Sequence, residues 1–426
     1  MIRFLLLLVC VLICSNTYAQ KPLPSEKDSL NKSVDSIKQQ SLIKHIGNGY
    51  LPSKFVNIDL RYLFKFNQFE GFRTGLGGIT NKNFSDKFRI DTYLVYGFRD
   101  NNFKYNLGFG VKVASKTNTW LHASYTDDLT ETGSSGFLTD KRFFQFFEPR
   151  LLNIDLFHKH ETKAFAIEHQ ISKHLLSETE FANSKIEPTY NYAFILNDKA
   201  YSKFILSTFK ISLQWSPFSD YEFTKDGLFE INTRYPKFTM QYTQGFNGVI
   251  DSDFQFTKLD LRIIHKITHA NNSRTEAALV SGIAIGDTPL THLYHAYPNN
   301  INKETVMQRF SVAGTSSFET MYFNEFFSDK FTTAQLKHIF NRFKVTERFR
   351  PELVLITRFA IGEMSNISRH QPASFNTLDH GYFESGFEIN RILLGFGLSF
   401  AYRYGAYHLD NFEDNFALKF TFNISL

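Results

Sequence analysis

Apolar and polar residues alternate with a period of two along most of the chain after residue 55. The clearest single stretch is the last one, residues 416–426, where one face is apolar throughout and the other carries small or polar residues. Successive side chains of a β-strand point to opposite faces, so this pattern predicts a strand with one apolar and one polar face. A strand of this kind at the end of the chain is typical of a transmembrane β-barrel, and a soluble β-sandwich is the alternative. The apolar face consists of Phe416, Leu418, Phe420, Phe422, Ile424 and Leu426.

The clearest pair of strands is Phe88 to Phe98 and Phe103 to Val113, joined by a turn at Asp100-Asn101-Asn102. Both strands place charges on the polar face, as Arg89 and Lys104 illustrate. In a barrel wall the apolar face contacts lipid, while charges on the other face are solvated or paired in the lumen. The hairpin therefore favours a membrane barrel over a soluble sandwich.

Similar alternation recurs along the chain and indicates roughly 14 to 16 strands, with an even number returning both termini to one side of the membrane. Outside the N-terminal segment, no stretch approaches the about 18 apolar residues of a membrane-spanning helix. We therefore predict an all-β, transmembrane antiparallel β-barrel of roughly 14–16 strands with a short N-terminal helical or disordered arm. The predicted strands are Val56–Phe64, Phe72–Thr80, Phe88–Phe98, Phe103–Val113, Trp120–Tyr125, Ala164–Ile171, Tyr190–Leu196, Phe204–Trp215, Phe238–Phe246, Phe254–Ile267, Glu276–Ile285, Thr333–Phe343, Leu353–Ile361, Tyr382–Ile389, Leu394–Tyr404 and Phe412–Leu426.

The N-terminal segment, residues 1–19, is typical of a secretory signal peptide. It has a charged start at Arg3, an apolar run and a small-residue cleavage motif that ends at Ala19. Both cysteines, Cys10 and Cys14, lie in this segment, so we expect the exported protein to contain no disulfide and no thiolate.

Residues 20–54 are predicted to form a periplasmic arm. Apolar residues between Leu30 and Ile46 follow a helical spacing after a possible cap at Ser25. This pattern indicates a short amphipathic helix or a partly ordered arm, and a helix that docks a specific partner is the alternative. Residues 55–426 contain no linker rich in proline or glycine, so we interpret them as one barrel domain.

Composition is consistent with this interpretation. The chain has 48 Phe and 20 Tyr but a mean hydropathy of only -0.26, a combination that short alternating strands produce. Its 47 basic and 42 acidic residues give a net charge of +5, which is close to balanced. We therefore expect no nucleic-acid partner.

Four interruptions of the alternation carry turn residues. They are Asp127 to Pro149, Ser216 to Pro236, Asp287 to Ser317 and Gly362 to Asp379. The sequence does not assign them to one side of the membrane, because a single miscounted strand would invert the assignment.

Histidines are densest in one region, where His158, His160 and Glu161 are followed by His169 and His174. Residues 158 and 160 share a strand face and could hold a metal in principle. Because the spacing places no third ligand, we favour histidines of turns or of the lumen and predict no metal site.

A hydrolytic site at the barrel rim is a second possibility. Asp287, His292 and His295 lie in one interruption, and Ser134 and Ser135 lie in another. Neither a GxSxG nor an HExxH motif occurs, and Asp and His are ordinary loop residues. We therefore predict no catalytic residue, although a site assembled from distant loops would leave no local motif.

Charges near the end of the chain should share one face of the wall. Glu384 and Glu388 lie in one predicted strand, Arg403 in the next and Lys419 in the last. They could line a charged pore, or they could form a paired network that stiffens the barrel. The sequence leaves both alternatives open.

Several motifs, taken together, resemble a family of outer-membrane β-barrel proteins of unknown function. Its members usually carry a carboxypeptidase-regulatory-like β-sandwich before the barrel, and here there is no room for that domain between residues 20 and 55. The term carboxypeptidase-regulatory-like refers to a folding module and not to peptidase activity, so the resemblance implies no catalytic residue. The barrel also looks distantly similar to outer-membrane assembly and translocation machines, at the level of the fold alone. The motifs are Asn67-Gln68-Phe69-Glu70-Gly71 leading into Phe72-Arg73-Thr74-Gly75-Leu76-Gly77-Gly78, Thr80-Asn81, Tyr96-Gly97, Arg234-Tyr235-Pro236, Gly286-Asp287-Thr288-Pro289-Leu290, Phe318-Glu319-Thr320-Met321, Asn324-Glu325-Phe326 and Ser328-Asp329.

From these patterns we expect a non-enzymatic surface or envelope-assembly component in the outer membrane of a Gram-negative envelope. A passive pore or transporter for small solutes and a rim-located hydrolase are the alternatives. The expected partners are outer-membrane lipid, the barrel-assembly machinery that recognises the C-terminal strand, and an envelope protein. We expect no cofactor.

Overall fold

A computed structural model describes residues 49–134, 136–142, 149–224, 227–346, 349–393 and 395–422. These residues belong to one compact unit, residues 46–426. The predicted signal peptide with Cys10 and Cys14, nearly all of the predicted arm, and the terminal residues Ile424 and Leu426 lie outside the described residues.

The described residues form 26 strands and seven short 3-10 helices. None of these helices has the length and apolar character needed to cross a membrane. The 3-10 helices are Leu60–Tyr62, Leu138–Arg142, Pro149–Leu152, Val249–Asp251, Leu290–His292, Ile367–Arg369 and Phe412–Asn415. The strands are β1 (Tyr50–Pro52), β2 (Val56–Asp59), β3 (Phe64–Asn67), β4 (Gly71–Thr80), β5 (Phe88–Gly97), β6 (Asn102–Ala114), β7 (Thr119–Glu131), β8 (Phe157–Ser172), β9 (Leu175–Pro188), β10 (Ala193–Leu196), β11 (Lys199–Tyr201), β12 (Phe204–Trp215), β13 (Asp220–Thr224), β14 (Gly227–Asn232), β15 (Lys237–Phe246), β16 (Phe256–Thr268), β17 (Arg274–Gly286), β18 (Pro298–Asn300), β19 (Ser311–Val312), β20 (Phe318–Tyr322), β21 (Lys330–Ile339), β22 (Glu352–Glu363), β23 (His370–Gln371), β24 (Leu378–Leu393), β25 (Phe396–Tyr404) and β26 (Phe416–Phe422).

One large sheet contains 19 of these strands, and its long strands pair antiparallel with their neighbours in chain order. The first predicted strand is not continuous, because β2 and β3 are separated by a 3-10 turn and both pair with β4. The Asp59 carboxylate accepts the backbone N–H of Arg61 at 3.0 Å, which closes this turn in place of extended backbone. With β2 and β3 counted as one strand, the wall has sixteen strands, within the predicted range.

The sheet curls into a barrel around the connection between β17 and β21. Side chains of this connection contact β7, β16 and β24, which lie far apart in the order of the sheet. The contacts are His295 to Glu131 at 2.7 Å, Tyr294 to Asp260 at 2.6 Å and Thr320 to Glu384 at 2.6 Å. One connection can contact the same face of strands that lie far apart in the sheet only if the wall curves around it.

The two faces of the wall differ as the alternation predicts. On β6, Phe103 and Leu107 point outward and are 60% and 61% exposed, whereas Lys104 on the other face is 4% exposed. Lys104 makes a 2.8 Å ion pair with Glu70 inside the barrel. The outer face is therefore apolar and suited to lipid, and the inner face holds paired charges.

One wall strand, β9, was missed by the pattern, and a predicted strand is wrong. Residues 190–196 are not a wall strand, because β10 pairs with β11 and β23 in a small separate sheet. The outward face of β9 carries Thr179, Asn183 and Lys185, so it lacks apolar alternation. β8 and β9 have 16 and 14 residues, more than the about 9–11 that cross a bilayer. Their polar ends therefore extend beyond the apolar band.

The alternation of strand direction assigns each connection to one end of the barrel. The connections 132–156, 189–203, 287–329 and 364–377 lie at the same end, which we call the loop end. The connection 216–236 lies at the opposite end. Three of the four predicted interruptions thus share one end.

The apolar core lies inside the barrel at the loop end. It joins side chains of the wall to those of the enclosed connection and of the small sheet. Phe254, for example, packs its ring against Phe194 at 4.9 Å and Phe204 at 5.3 Å. This core fixes the enclosed connection to the wall.

Candidate functional site

The candidate site is the connection 287–329, which we call the inserted segment. Its strand β20 is buried on both faces from Phe318 to Met321 and pairs in parallel with β18. A strand with two buried faces cannot show alternation, which explains why the sequence marks this region only as an interruption. The segment binds the wall through three groups of polar contacts.

The first group is centred on Glu384 of β24. One oxygen of its carboxylate accepts the Thr320 backbone N–H at 2.7 Å and the Thr320 hydroxyl at 2.6 Å. Its other oxygen is hydrogen-bonded to Arg358 of β22. Glu384 is fully buried and Arg358 is 2% exposed, so the charges are compensated by each other and by the segment's backbone.

The second group joins Lys419 of β26 to Glu319. The ammonium lies 3.2 Å from the Glu319 carboxylate and also donates to the carbonyl of Asn299. Glu319 accepts further hydrogen bonds from the Ser317 hydroxyl at 2.8 Å and from the Gly314 N–H at 3.0 Å. The carboxylate thereby organises the turn that precedes β20.

The third group joins Arg403 of β25 to Glu325. The guanidinium makes a bidentate contact with the carboxylate, at 2.6 and 3.2 Å, and packs 5.0 Å from the ring of Tyr382. Burial raises the pKa of Glu325 above its ordinary value, and the Arg403 charge opposes that shift. The Tyr322 N–H donates to the same carboxylate at 3.0 Å.

The inserted segment also pairs with part of the free edge of the last wall strand. Ser311 and Val312 of β19 pair in parallel with Lys419 and Phe420, and the Ala313 N–H donates to the Phe420 carbonyl at 2.7 Å. Nearby, Arg309 binds Asp414 at 3.1 Å. Among the described residues, β26 has no pairing with β1, β2 or β3, so this edge is paired to the protein's own inserted segment.

The four charges predicted to share a face do lie on the inner wall. Glu384, Arg403 and Lys419 hold the inserted segment, whereas Glu388 accepts a hydrogen bond from Asn390 at 3.0 Å. The geometry corresponds to the paired network rather than to a row of free charges. Sequence reasoning missed the partners Glu319 and Glu325, which lie far away in the chain and follow no periodic pattern.

The structure brings Ser134 close to His292 and His295, because Gly133 accepts the His295 N–H at 3.2 Å and donates to the Thr291 carbonyl at 3.4 Å. Among the described residues, no hydrogen bond joins the side chains of Ser134, His292, His295 and Asp287, so they do not form a catalytic triad. Asp287 is paired with Arg369 at 2.8 Å. His295 uses both ring nitrogens, since Nε2 contacts Glu131 at 2.7 Å and Nδ1 accepts the Tyr297 N–H at 3.1 Å. The Ser134 hydroxyl donates to the Glu131 carbonyl at 3.3 Å, and Ser135 lies outside the described residues.

The predicted histidine group divides. His158 and His160 share the inner face of β8, as predicted, and their ring centroids are 6.4 Å apart. His169 instead contacts Thr119 at 2.8 Å, and His174 contacts the Ser219 carbonyl at 3.0 Å. Glu161 lies on the outer face, where it pairs with Lys185 at 3.2 Å.

An unexpected third histidine, His292 of the inserted segment, completes the group. Its ring centroid lies 6.3 Å from that of His158. Six wall strands lie wholly or partly between His158 and His292 in the sequence. Their spacing therefore gives no signal of the contact.

Three solved structures resemble this chain over most of its length. The structure of BamA from Haemophilus ducreyi lacking POTRA domains 1–3 matches 95% of this chain and 79% of its own, with 9% identity and a TM-score of 0.49. CdiB from Acinetobacter baumannii matches 86% of this chain and 59% of its own, with 11% identity and a TM-score of 0.45. OmpT of Vibrio cholerae matches 73% of this chain and 89% of its own, with 8% identity and a TM-score of 0.31. No curated protein matches the sequence. At these values the likenesses carry no information about activity.

Proposed function

The chain belongs to the family of unknown function DUF5686, whose C-terminal domain model matches residues 48–348, and we propose for it a non-enzymatic role in the outer membrane. The protein acts as a surface or envelope-assembly component through its loop-end connections and periplasmic arm. It sits in outer-membrane lipid, is inserted by the barrel-assembly machinery and binds an envelope protein.

The single observation that supports this proposal is the buried ionic attachment of the inserted segment. Glu384, Arg403 and Lys419 are 0%, 1% and 1% exposed, so their charges are used inside the protein and do not face a water column. A segment held by several buried ion pairs is costly to remove, because each broken pair leaves an uncompensated charge. A blocked barrel is suited to binding partners at its surface rather than to conducting solutes.

The second candidate is a passive pore. Its supporting observation is the further charge on the inner face, where Arg89 and Glu168 form an ion pair whose side chains are 18% and 12% exposed. Pores of outer-membrane barrels are lined by such residues.

Solute flux into liposomes separates the two candidates. The refolded protein is first checked for heat-modifiable gel mobility and is then compared with a variant in which residues 289–328 are replaced by a short Gly-Ser linker. We expect sealed liposomes with the intact protein and flux of small ions with the variant. Flux of small sugars through the intact protein, falling with solute size, would establish the pore instead.

A rim hydrolase is the least supported alternative, since both ring nitrogens of His295 are already bonded. Incubation of the folded protein with a panel of lipid and peptide substrates tests it. We expect no turnover, and turnover abolished by His292→Gln or His295→Gln would contradict our proposal.

A further inference from the structure

Three imidazoles meet inside the barrel at the loop end. His158 and His160 extend from β8, and His292 approaches from the inserted segment, with ring centroids 6.4 and 6.3 Å from that of His158. The ring of Phe256 packs 5.8 Å from His292 and closes one side of the group. The network that holds the inserted segment uses none of these rings.

Each imidazole is hydrogen-bonded to a threonine hydroxyl. The Nδ1 atoms of His158, His160 and His292 contact the hydroxyls of Thr132, Thr162 and Thr291, at 3.2, 2.8 and 2.9 Å. None of the three Nε2 atoms has a hydrogen bond to any residue that the structure describes. One nitrogen of each ring is therefore fixed by the protein, while the other remains for a further partner.

The hydrogen bonds around His158 are compatible with a ring proton on Nε2. Thr132 Oγ1 accepts the Tyr190 hydroxyl at 3.3 Å, which leaves the Thr132 proton available to His158 Nδ1. In that tautomer the ring proton resides on Nε2, which makes this nitrogen a hydrogen-bond donor.

An ammonium group stands near the same place. Lys258 is 7% exposed and packs its Nζ 4.4 Å from the centre of the Tyr294 ring. In the part of the chain that the structure describes, this ammonium has no hydrogen bond and no ion pair. Asp260, two residues further on the same face of β16, accepts the Tyr294 hydroxyl at 2.6 Å. A buried cation without an acceptor calls for an anionic partner.

The charge around His292 has the same sign. Burial lowers the pKa of His292 well below its ordinary value, and the neighbouring His158, Lys258, Lys210 and His160 lower it further. Lys210 itself is paired with Glu180 at 3.5 Å. His158 and His160 act on His292 only when they are protonated and Lys210 is paired, so Lys258 is the charge near His292 that attracts an anion at neutral pH.

The arrangement does not suit a metal ion. A single tetrahedral metal would bring two ligand rings to about 5 Å between centroids, closer than the observed separations. Within the described residues, no group of three or more His, Cys, Asp or Glu is placed to hold a metal. Donors whose ring centroids lie more than 6 Å apart are better matched by a tetrahedral oxyanion, whose four oxygens accept hydrogen bonds from different sides.

We propose that His158, His160, His292 and Lys258 bind a phosphate group, either as the free ion or as part of a lipid headgroup. Imidazole Nε2–H groups and the ammonium donate to the phosphate oxygens, and the three threonines hold the rings in place. This inference does not depend on whether the barrel is blocked or open.

Calorimetric titration tests the site in the refolded full-length protein. The detergent is a maltoside, which contains no phosphate, and inorganic phosphate is the probe. We expect saturable binding that becomes at least about tenfold weaker in Lys258→Met and in His292→Phe, because each variant removes one donor to the anion. The matched control is Lys199→Met, since the Lys199 ammonium also packs on a tyrosine ring, 4.3 Å from that of Tyr201, outside the cluster.

Heat-modifiable gel mobility confirms that every variant is folded before titration. Absence of saturable phosphate binding by the folded protein, or equal affinity in wild type and Lys258→Met, would overturn the proposal. Parallel titrations with glycerol phosphate and with dihexanoyl phosphatidic acid distinguish the two sources. Equal affinity for all three probes would identify a site for the free ion, and tighter binding of the lipid would identify a headgroup site.

Discussion

Lys419 of the last wall strand lies 3.2 Å from Glu319 of the inserted segment, and both side chains are 1% exposed. The pair joins the closing strand of the barrel to the material inside it. Buried ion pairs contribute little relative to well-packed apolar residues, but removing one partner leaves the other charge buried without compensation. The stability of the assembled barrel should therefore depend on both members being present.

Glu319→Gln tests this dependence. The amide keeps the shape of the carboxylate but leaves the Lys419 ammonium with only the Asn299 carbonyl. We expect the free energy of unfolding to fall by about 3–5 kcal/mol. The measurement is urea unfolding of the protein in lipid vesicles, followed by heat-modifiable gel mobility.

Glu363→Gln is the matched control for this substitution. Its carboxylate pairs with Lys330 at 2.6 Å, but the two side chains are 61% and 44% exposed. Solvent screens such pairs, so we expect an unchanged unfolding midpoint. Equal midpoints for Glu319→Gln and Glu363→Gln would show that the buried pair is not important for stability.

The pairing of β19 with β26 predicts a specific cross-link. Val312 and Phe420 are register partners, and neighbouring strands lie about 4.8 Å apart, which is within the range that a disulfide spans. In a chain whose Cys10 and Cys14 are replaced by serine, oxidation of Val312→Cys/Phe420→Cys should form an intramolecular disulfide. A mobility shift reversed by reductant on a non-heated gel reports it.

An out-of-register pair provides the control for the cross-link. Phe416 lies on the same strand and the same face as Phe420, but about 13 Å further along. Val312→Cys/Phe416→Cys should therefore remain reduced under the same oxidation. Similar cross-linking of both pairs would mean that the inserted segment moves along the strand edge and is not held in this register.

Much of the wall could be predicted from sequence because lipid imposes an apolar outer face. The alternation located β5, β6 and most later strands within a few residues. It failed at β9, whose outward residues Asn183 and Lys185 extend beyond the apolar band, where lipid imposes no pattern. It also failed at β2 and β3, where the Asp59 carboxylate interrupts an otherwise alternating stretch.

Only the wall side of the site could be predicted from the sequence. Alternation placed Glu384, Arg403 and Lys419 on the inner face, which requires only the local period of two. Their partners come from a segment enclosed on all sides, where burial removes the contrast between faces. The meeting of Thr320 with Glu384 is a long-range contact that no local pattern encodes.

The outer face makes a prediction about membrane insertion. Leu107 lies near the middle of β6 with 61% of its surface exposed. Leu107→Arg should make folding into a bilayer less favourable by about 2–4 kcal/mol, because an arginine at the midplane faces hydrocarbon. Urea-dependent folding into lipid vesicles measures it. Glu161→Arg, on the outward face of the polar end of β8, should fold like the wild type, and equal losses in both variants would contradict the proposed apolar band.

The last prediction concerns the effect of pH on the loop end. His370 of β23 is 3% exposed, and its Nδ1 accepts the Tyr192 hydroxyl at 2.9 Å. The oxygen of this hydroxyl accepts the Leu290 N–H at 2.9 Å. Burial, together with the adjacent Arg369 charge, lowers the pKa of His370 to about 4. The ring is therefore neutral in the folded protein at neutral pH. Protonation of Nδ1 would remove the acceptor for Tyr192 and disconnect this chain of hydrogen bonds from the inserted segment.

The direction of the pH effect follows from the lowered pKa. The unfolded imidazole takes up its proton first, near the ordinary value of about 6.5, so stability is complete above that pH and falls as the pH decreases towards 4. The loss amounts to about 3 kcal/mol and is complete below pH 4. Hydrogen exchange at the Leu290 amide should accelerate over this range, relative to its intrinsic rate. His370→Gln should reduce the change to the part that comes from the buried His292, whereas His380→Gln, whose ring is 70% exposed, should retain it in full. A protection factor at Leu290 that stays constant between pH 7 and 4 in the wild type would refute the link between His370 and the inserted segment.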